Sequence, residues 1–157
     1  MIEVTASSLT AHPFLRGMSQ DHLAVLVPAA RVVTLPDKSQ LFEEGGNATR
    51  FWLIQAGRVA LFVDVPGDGR VVIEHLGVGE LLGWSWLFPP YQWAFGAVTV
   101  GPVQAFEFDA PAVRSLCVSD PVLGNDLNQR ILRVLAHRLR ATRIRLVTES
   151  ATARSSW

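Results

Sequence analysis

The chain has 157 residues, 49% of them hydrophobic and 18% charged, with one cysteine and 14 Lys or Arg balanced by 14 Asp or Glu. That balance describes one folded domain, or one domain with a long appended helix, and excludes a disordered chain. No apolar run approaches the roughly 18 residues of a membrane span, no basic segment followed by an apolar core marks a secretory signal, and a lone Cys117 excludes an internal disulfide and an all-cysteine metal site, so the expected compartment is the cytoplasm.

The zero net charge conceals an asymmetry. Residues 1–110 carry six Lys or Arg against eleven Asp or Glu, and residues 111–157 carry eight against three. An acidic body therefore bears a basic C-terminal segment, and the simplest consequence is that the two pair.

The first thirty residues read as helical. His12-Pro13-Phe14-Leu15-Arg16-Gly17 forms a turn or a single helical turn, and Ser19 caps a helix from Gln20 with Leu23, Leu26 and Val27 on one face. From Arg31 the hydrophobic period becomes two. Arg31–Leu35 is a strand stopped by Pro36-Asp37, and Leu41-Phe42 is a short strand before Gly45-Gly46-Asn47. Phe51–Ile54 is another, followed by an expected tight turn at Ala56-Gly57. Val59, Leu61, Val63 and Val65 then alternate with Arg58, Ala60, Phe62 and Asp64, so one face of that strand is expected inward. Pro66-Gly67-Asp68-Gly69 turns the chain back into Arg70–Leu76. Ala97–Val100 and Val103–Phe108 are expected to form a hairpin across Gly101-Pro102. Seven or eight short strands at this spacing predict a sandwich or barrel.

The period then reverts to helix. Asp109 can cap a helix over 110–118, and Asp120-Pro121 opens a second one, with the acid at the cap and proline at the first helical position. Leu123, Leu127, Ile131, Val134, Leu135, Leu139 and Leu146 extend its apolar stripe to about Val147, roughly 40 Å. The expected parts are a helical segment 1–30, a β domain 31–109, helices 110–147 and a flexible tail 148–157. Cys117 reads as a small core residue.

The densest segment is Gly79–Thr99. It holds Trp84, Trp86 and Trp93 beside Phe88, Tyr91 and Phe95, and no Lys or Arg occurs anywhere from Val71 to Val113. Each ring buries roughly 150–250 Å², so the cluster either lines a pocket or fills one. Pro89-Pro90 stiffens it in both cases. No nucleophile–base arrangement can be assigned and neither His75 nor His137 has a partner at metal-ligand spacing, so no enzyme activity, metal or cofactor is expected. Asp109, Asp120 and Asp126 are explained as residues at helix starts.

Three blocks resemble the cyclic nucleotide-binding domain of catabolite-activator-type regulators and cyclic-nucleotide-dependent kinases. They are Leu41-Phe42-Glu43-Glu44-Gly45 with 51–59, then 77–83 leading into a short helix from Ser85, then the last β segment with the two terminal helices. The resemblance covers about residues 12–147. It implies an antiparallel β-roll of jelly-roll type followed by a long C-terminal helix, a non-enzymatic regulatory role, a small-molecule ligand in the roll, and a homodimer. The family's cassette starts with Gly-Glu, whose acid bonds the ribose, and an Arg some nine or ten residues on grips the phosphate. Here Gly83 is followed by Trp84, and the Arg position falls on Trp93 or Ala94; Gly46 also stands where an acidic residue is usual.

Losing both contacts removes about 3–6 kcal/mol, or about two to four decades of affinity. A surviving helix N-terminus near Ser85 offers an anion only about 0.3–1 kcal/mol. Tight cyclic AMP or cyclic GMP binding is therefore not expected. The degenerate cassette, Gly83, Trp84, Ser85, Trp86, Trp93, Ala94 and Phe95, either lines a pocket for a different ligand or fills the former cavity with indoles and leaves a protein–protein interaction module. Leu127, Ile131, Leu135 and Leu139 are expected to serve as lid and dimer seam. Arg130, Arg133, Arg138, Arg140, Arg143 and Arg145 read as a solvated face. Only ten residues follow Val147, fewer than a helix-turn-helix reading unit needs, so no specific DNA binding and no membrane binding are expected.

Overall fold

The computed structural model describes residues 3–155. The N-terminal part is built from short capped pieces. Helix α1 (Ala6–Thr10) begins at a capping box in which the Ser8 amide donates to Thr5 Oγ1 and the Thr5 amide donates to Ser8 Oγ. A 3₁₀ turn, Pro13–Leu15, follows His12, and α2 (Gln20–Leu26) starts on the expected Ser19 cap with Leu23 and Leu26 buried.

Six antiparallel strands form the roll: β1 (Ala30–Leu35), β2 (Gln40–Phe42), β3 (Arg50–Val65), β4 (Gly69–Leu76), β5 (Leu81–Leu82) and β6 (Gly96–Asp109). Their order is β1-β6-β3-β4, with β2 on β6 and β5 on β3. Two expected reversals are absent. Ala56-Gly57 is not a turn and Gly101-Pro102 does not close a hairpin; β3 and β6 each run straight through, paired from Arg50↔Asp109 to Phe62↔Gly96 with register shifts at Ile54/Ala56 and Ala56/Arg58. Gly57 and Gly101 have φ of 93° and 79°. Inside a paired strand such a residue makes a bulge that bends the ribbon without reversing it. A Cβ on Gly57 would collide with the Pro102 carbonyl oxygen, so the two bends lie against each other.

The β3–β4 hairpin matches expectation, with the Asp68 amide on the Val65 carbonyl. The one-sided burial of β3 does not, because Ala60 and Phe62 are buried as well. The Phe62 ring lies against Gly96 and beneath the Arg70 guanidinium, 3.8 Å from its centroid.

Asp109 caps α3 (Ala110–Ser119) through the Ala112 amide, and Asp120 accepts from the amides of Val122 and Leu123 at the start of α4 (Pro121–Ser155). Helix α4 continues past the expected end at Val147, so the flexible tail expected over 148–157 is helical through Ser155, and 156–157 lie outside the described residues. Thr148 and Thr152 donate their hydroxyls to the carbonyls of Ile144 and Thr148, which satisfies these polar side chains within the helix. Asp126 is not at a helix start; it pairs with Arg130 one turn on, at 2.7 Å. The arginines are also not uniformly solvated. Arg130 donates to the carbonyls of Phe14 and Arg16, and Arg138 to that of Leu81, fastening α4 to the body at two levels.

Candidate functional site

The aromatic segment is positioned from both ends. Strand β5 pairs Leu82 with Trp52 and Leu81 with Leu53. Gly83 then takes φ of 96°, which a glycine adopts without strain. Beyond it only a three-residue 3₁₀ turn forms, Ser85–Leu87, so the helix N-terminus expected to favour an anion is absent. Trp86 is 1% exposed, stacks on Phe51 at 4.5 Å and donates Nε1–H to the Gly83 carbonyl. The Arg114 guanidinium caps this end, donating to the Trp86 carbonyl and covering the Tyr91 ring. Ser85 is buried, Trp84 and Phe95 are half-buried, and Ala94 is exposed.

The other end is pinned by the loop after β2. The Gly45 amide donates to the Trp93 carbonyl, the Trp93 amide to Gly46, and the Ala48 amide to Tyr91, at 2.9, 2.9 and 2.7 Å. This ladder turns Trp93 inward, to 6% exposure, stacked on Phe42 at 3.8 Å with Trp52 at 6.2 Å. A Cβ at Gly83 would lie 2.8 Å from Trp93 Cη2, so this indole occupies the space over Gly83. Of the seven cassette residues expected together, Gly83 and Trp93 meet on one side, while Trp86 packs on the Phe51–Phe108 side.

Beside Trp93 opens a cleft of about 500 Å³, lined by Phe42, Glu43, Gly46, Asn47, Thr49, Arg50, Trp52 and Glu107 among others. Glu107 stands on the central strand β6, directly opposite Arg31 of β1 and Trp52 of β3. Its Oε1 accepts from Arg31 Nε and Nη2 (2.8 and 2.6 Å) and from Arg50 Nη1 (2.7 Å), and its Oε2 accepts from Trp52 Nε1 (3.0 Å). Arg31, Arg50 and Glu107 also border a smaller recess of about 290 Å³. Sequence reasoning missed these residues. They are far apart in the chain, and only strand register brings them together.

Helix α4 closes the opposite side. Leu127 and Ile131 are buried against the body, Leu135 is half-buried, and Leu139 is 53% exposed, so the apolar packing of α4 on the body ends near its fourth turn. Burial lowers the Arg138 pKa, Glu74 and Glu80 pull it back up, and its Nε has no partner among the described residues. A mostly apolar recess of about 310 Å³ separates α4 from the 3₁₀ turn at Pro13. Behind it the buried His12 donates Nε2–H to the Ile54 carbonyl and accepts the Phe14 amide at Nδ1. Burial pushes its pKa below the ordinary value, against the pull of the Ile54 hydrogen bond.

Comparison with known proteins agrees with this architecture. The family profile "Cyclic nucleotide-binding domain" matches residues 32–120, more than half of the chain. A CRP-like cAMP-activated global transcriptional regulator of Mycobacterium tuberculosis is 28% identical over 127 residues, which take in 81% of this chain and 55% of that protein. The chain thus spans about half the length of the curated relatives it matches. Among solved structures, a cyclic nucleotide-binding domain from Methylobacillus flagellatus superposes with a TM-score of 0.75 at 24% identity, covering 84% of this chain and 74% of that one. The Thermus thermophilus catabolite activator protein superposes at 0.68 and 22%, covering 88% and 63%. At these identities the superpositions carry the fold.

Proposed function

The chain belongs to the cyclic nucleotide-binding domain family, and we propose that within it the protein is a non-enzymatic regulatory domain that senses a small ligand other than a tightly held cyclic AMP or cyclic GMP. The observation that carries this reading is the cassette. No Lys or Arg lies between residues 71 and 113, Ala94 at the expected arginine position is an exposed methyl, and the Trp93 indole fills the space over Gly83, where the cassette begins. Calorimetry of the full chain with cyclic AMP and cyclic GMP tests it. We expect dissociation constants weaker than about 10 µM, in keeping with the loss of two charge-assisted contacts; tighter binding would overturn the reading.

A second reading has its own support. Trp86 and Trp93 are both buried, which suits a roll filled by its own indoles and acting through protein contacts alone. Thermal denaturation across a metabolite panel separates the two, because a ligand bound only by the native state raises the melting temperature. We also propose a homodimer across α4. The supporting observation is the set of exposed apolar side chains Leu132, Leu139, Ile144, Leu146 and Val147, while Arg133, His137 and Arg140 are exposed and free to splay outward.

A further inference from the structure

We infer that the cleft beside Trp93 is the ligand site, and that its ligand is a small planar anion of the aromatic carboxylate or aryl phosphate class; this rests on the reading of the domain as a ligand sensor. An anion in an aromatic cleft needs a cation beside the rings. The cassette has none, but β3 brings Arg50 to the same cleft that Trp93 lines. Glu107 holds that guanidinium by one nitrogen only, Nη1 at 2.7 Å, and the Arg50 side chain is 51% exposed. Its Nε and Nη2 donors have no partner among the described residues and are available for an acceptor entering the cleft, in the forked geometry that suits a carboxylate or phosphate.

Glu107 does not compete for the ligand as an open negative charge. Both of its oxygens are engaged, by Arg31, Arg50 and the Trp52 indole N–H. Arg31 borders the neighbouring recess and not the cleft; its pairing takes up the Glu107 charge, which leaves Arg50 as the one arginine at the cleft among the described residues, with Glu43 also at the wall. A single cation suits one anionic head group better than a polyphosphate. The apolar wall is Phe42, Trp52 and Trp93, stacked on one another at 3.8–6.2 Å and all buried, so it is rigid before any ligand arrives. Gly46 lines the cleft beside that wall, where a Cβ would press on the Glu43 carbonyl oxygen at 3.2 Å and touch Trp93 Cδ1 at 3.6 Å. A volume of about 500 Å³ accommodates a one- or two-ring acid.

The test uses the full chain and three probes: benzoate, indole-3-carboxylate and phenyl phosphate. Benzamide controls for charge and cyclohexanecarboxylate for planarity. Binding is read by calorimetry and by shifts of the tryptophan indole N–H signals in NMR. We expect saturable binding of at least one aromatic anion, with its uncharged or non-planar analogue weaker by about tenfold or more. Arg50→Gln should weaken it by about tenfold or more, Arg50→Lys should recover part of the loss, and Arg58→Gln, an exposed charge elsewhere on β3, should change it by less than about twofold. Absence of saturation by all three anions at about 10 mM overturns the inference, as does binding that Arg50→Gln leaves unchanged in a variant with normal melting. The outcomes separate the two readings. If other metabolites stabilise the protein while these anions do not bind, the cleft assignment fails and the sensor stands; if no ligand of any class stabilises it, both fail.

Discussion

Replacing Glu107 with alanine isolates what a buried acid contributes beside the cleft. The residue is 8% exposed, yet the two arginines it holds are 64% and 51% exposed. On losing the acid they rehydrate where they stand, so each ion pair forfeits only about 0–1 kcal/mol. Trp52 cannot do the same. Its buried Nε1–H has Glu107 as partner at 3.0 Å, and an orphaned buried donor costs about 1–3 kcal/mol. The lost methylene packing adds about 1 kcal/mol. The expected cost of Glu107→Ala is therefore about 2–6 kcal/mol, or roughly 4–24 °C in melting temperature for a domain of this size. Arg31→Ala and Arg50→Ala should each cost under about 1 kcal/mol, and Glu107→Gln should recover much of the alanine loss by keeping an acceptor for Trp52. Urea denaturation of the four variants checks these values. An arginine variant as destabilised as Glu107→Ala would refute the reasoning, because the ion pairs and not the indole would then dominate.

Three further perturbations probe the bend, the N-terminal latch and the long helix. Gly57→Ala should cost more than about 2 kcal/mol, since φ of 93° and the Pro102 carbonyl both oppose a Cβ; a denaturation midpoint equal to wild type would show that β3 bends by other means. His12 is held neutral below its ordinary pKa of 6.5, so its contribution is present above that pH and is lost as pH falls from 6.5 through the depressed native value. The expected slope is at most about 1.4 kcal/mol per pH unit, and a His12→Gln variant whose stability keeps the full wild-type dependence between about pH 7 and 5 would exclude this origin. Leu139→Glu should halve the mass seen by light scattering while leaving the stability of the single chain within about 0.5 kcal/mol, because the residue is 53% exposed. A wild-type mass near 17.2 kDa at tens of micromolar would remove the dimer instead.

The helix starts were legible in the chain because capping is local chemistry. Ser19, Asp109 and Asp120 each accept a backbone amide two or three residues on, and no distant residue is needed to recognise them. The roll was legible for a similar reason, through strand alternation and the glycine-marked blocks at 41–59 and 77–83. The loss of the cassette cation could be read by counting alone. What Gly57 and Gly101 do could not be read this way. A glycine with positive φ fits a reversal and a bulge equally well, and the choice falls to whether the flanking strands keep the same partner, as β3 and β6 do along their length. The end of α4 is not legible in the chain because a Ser/Thr-rich run reads as frayed until its hydroxyls bond back into the helix. Which way the indoles turn was decided by the ladder between 45–48 and 91–93, and the Arg31–Glu107–Arg50 cluster by register across three strands. Local capping and periodicity are properties of neighbours in sequence and survive in the chain as pattern. The Glu107 cluster at the edge of the cleft joins residues up to 76 positions apart, and only the folded pairing of β1, β6 and β3 puts their charges and rings within reach of one another.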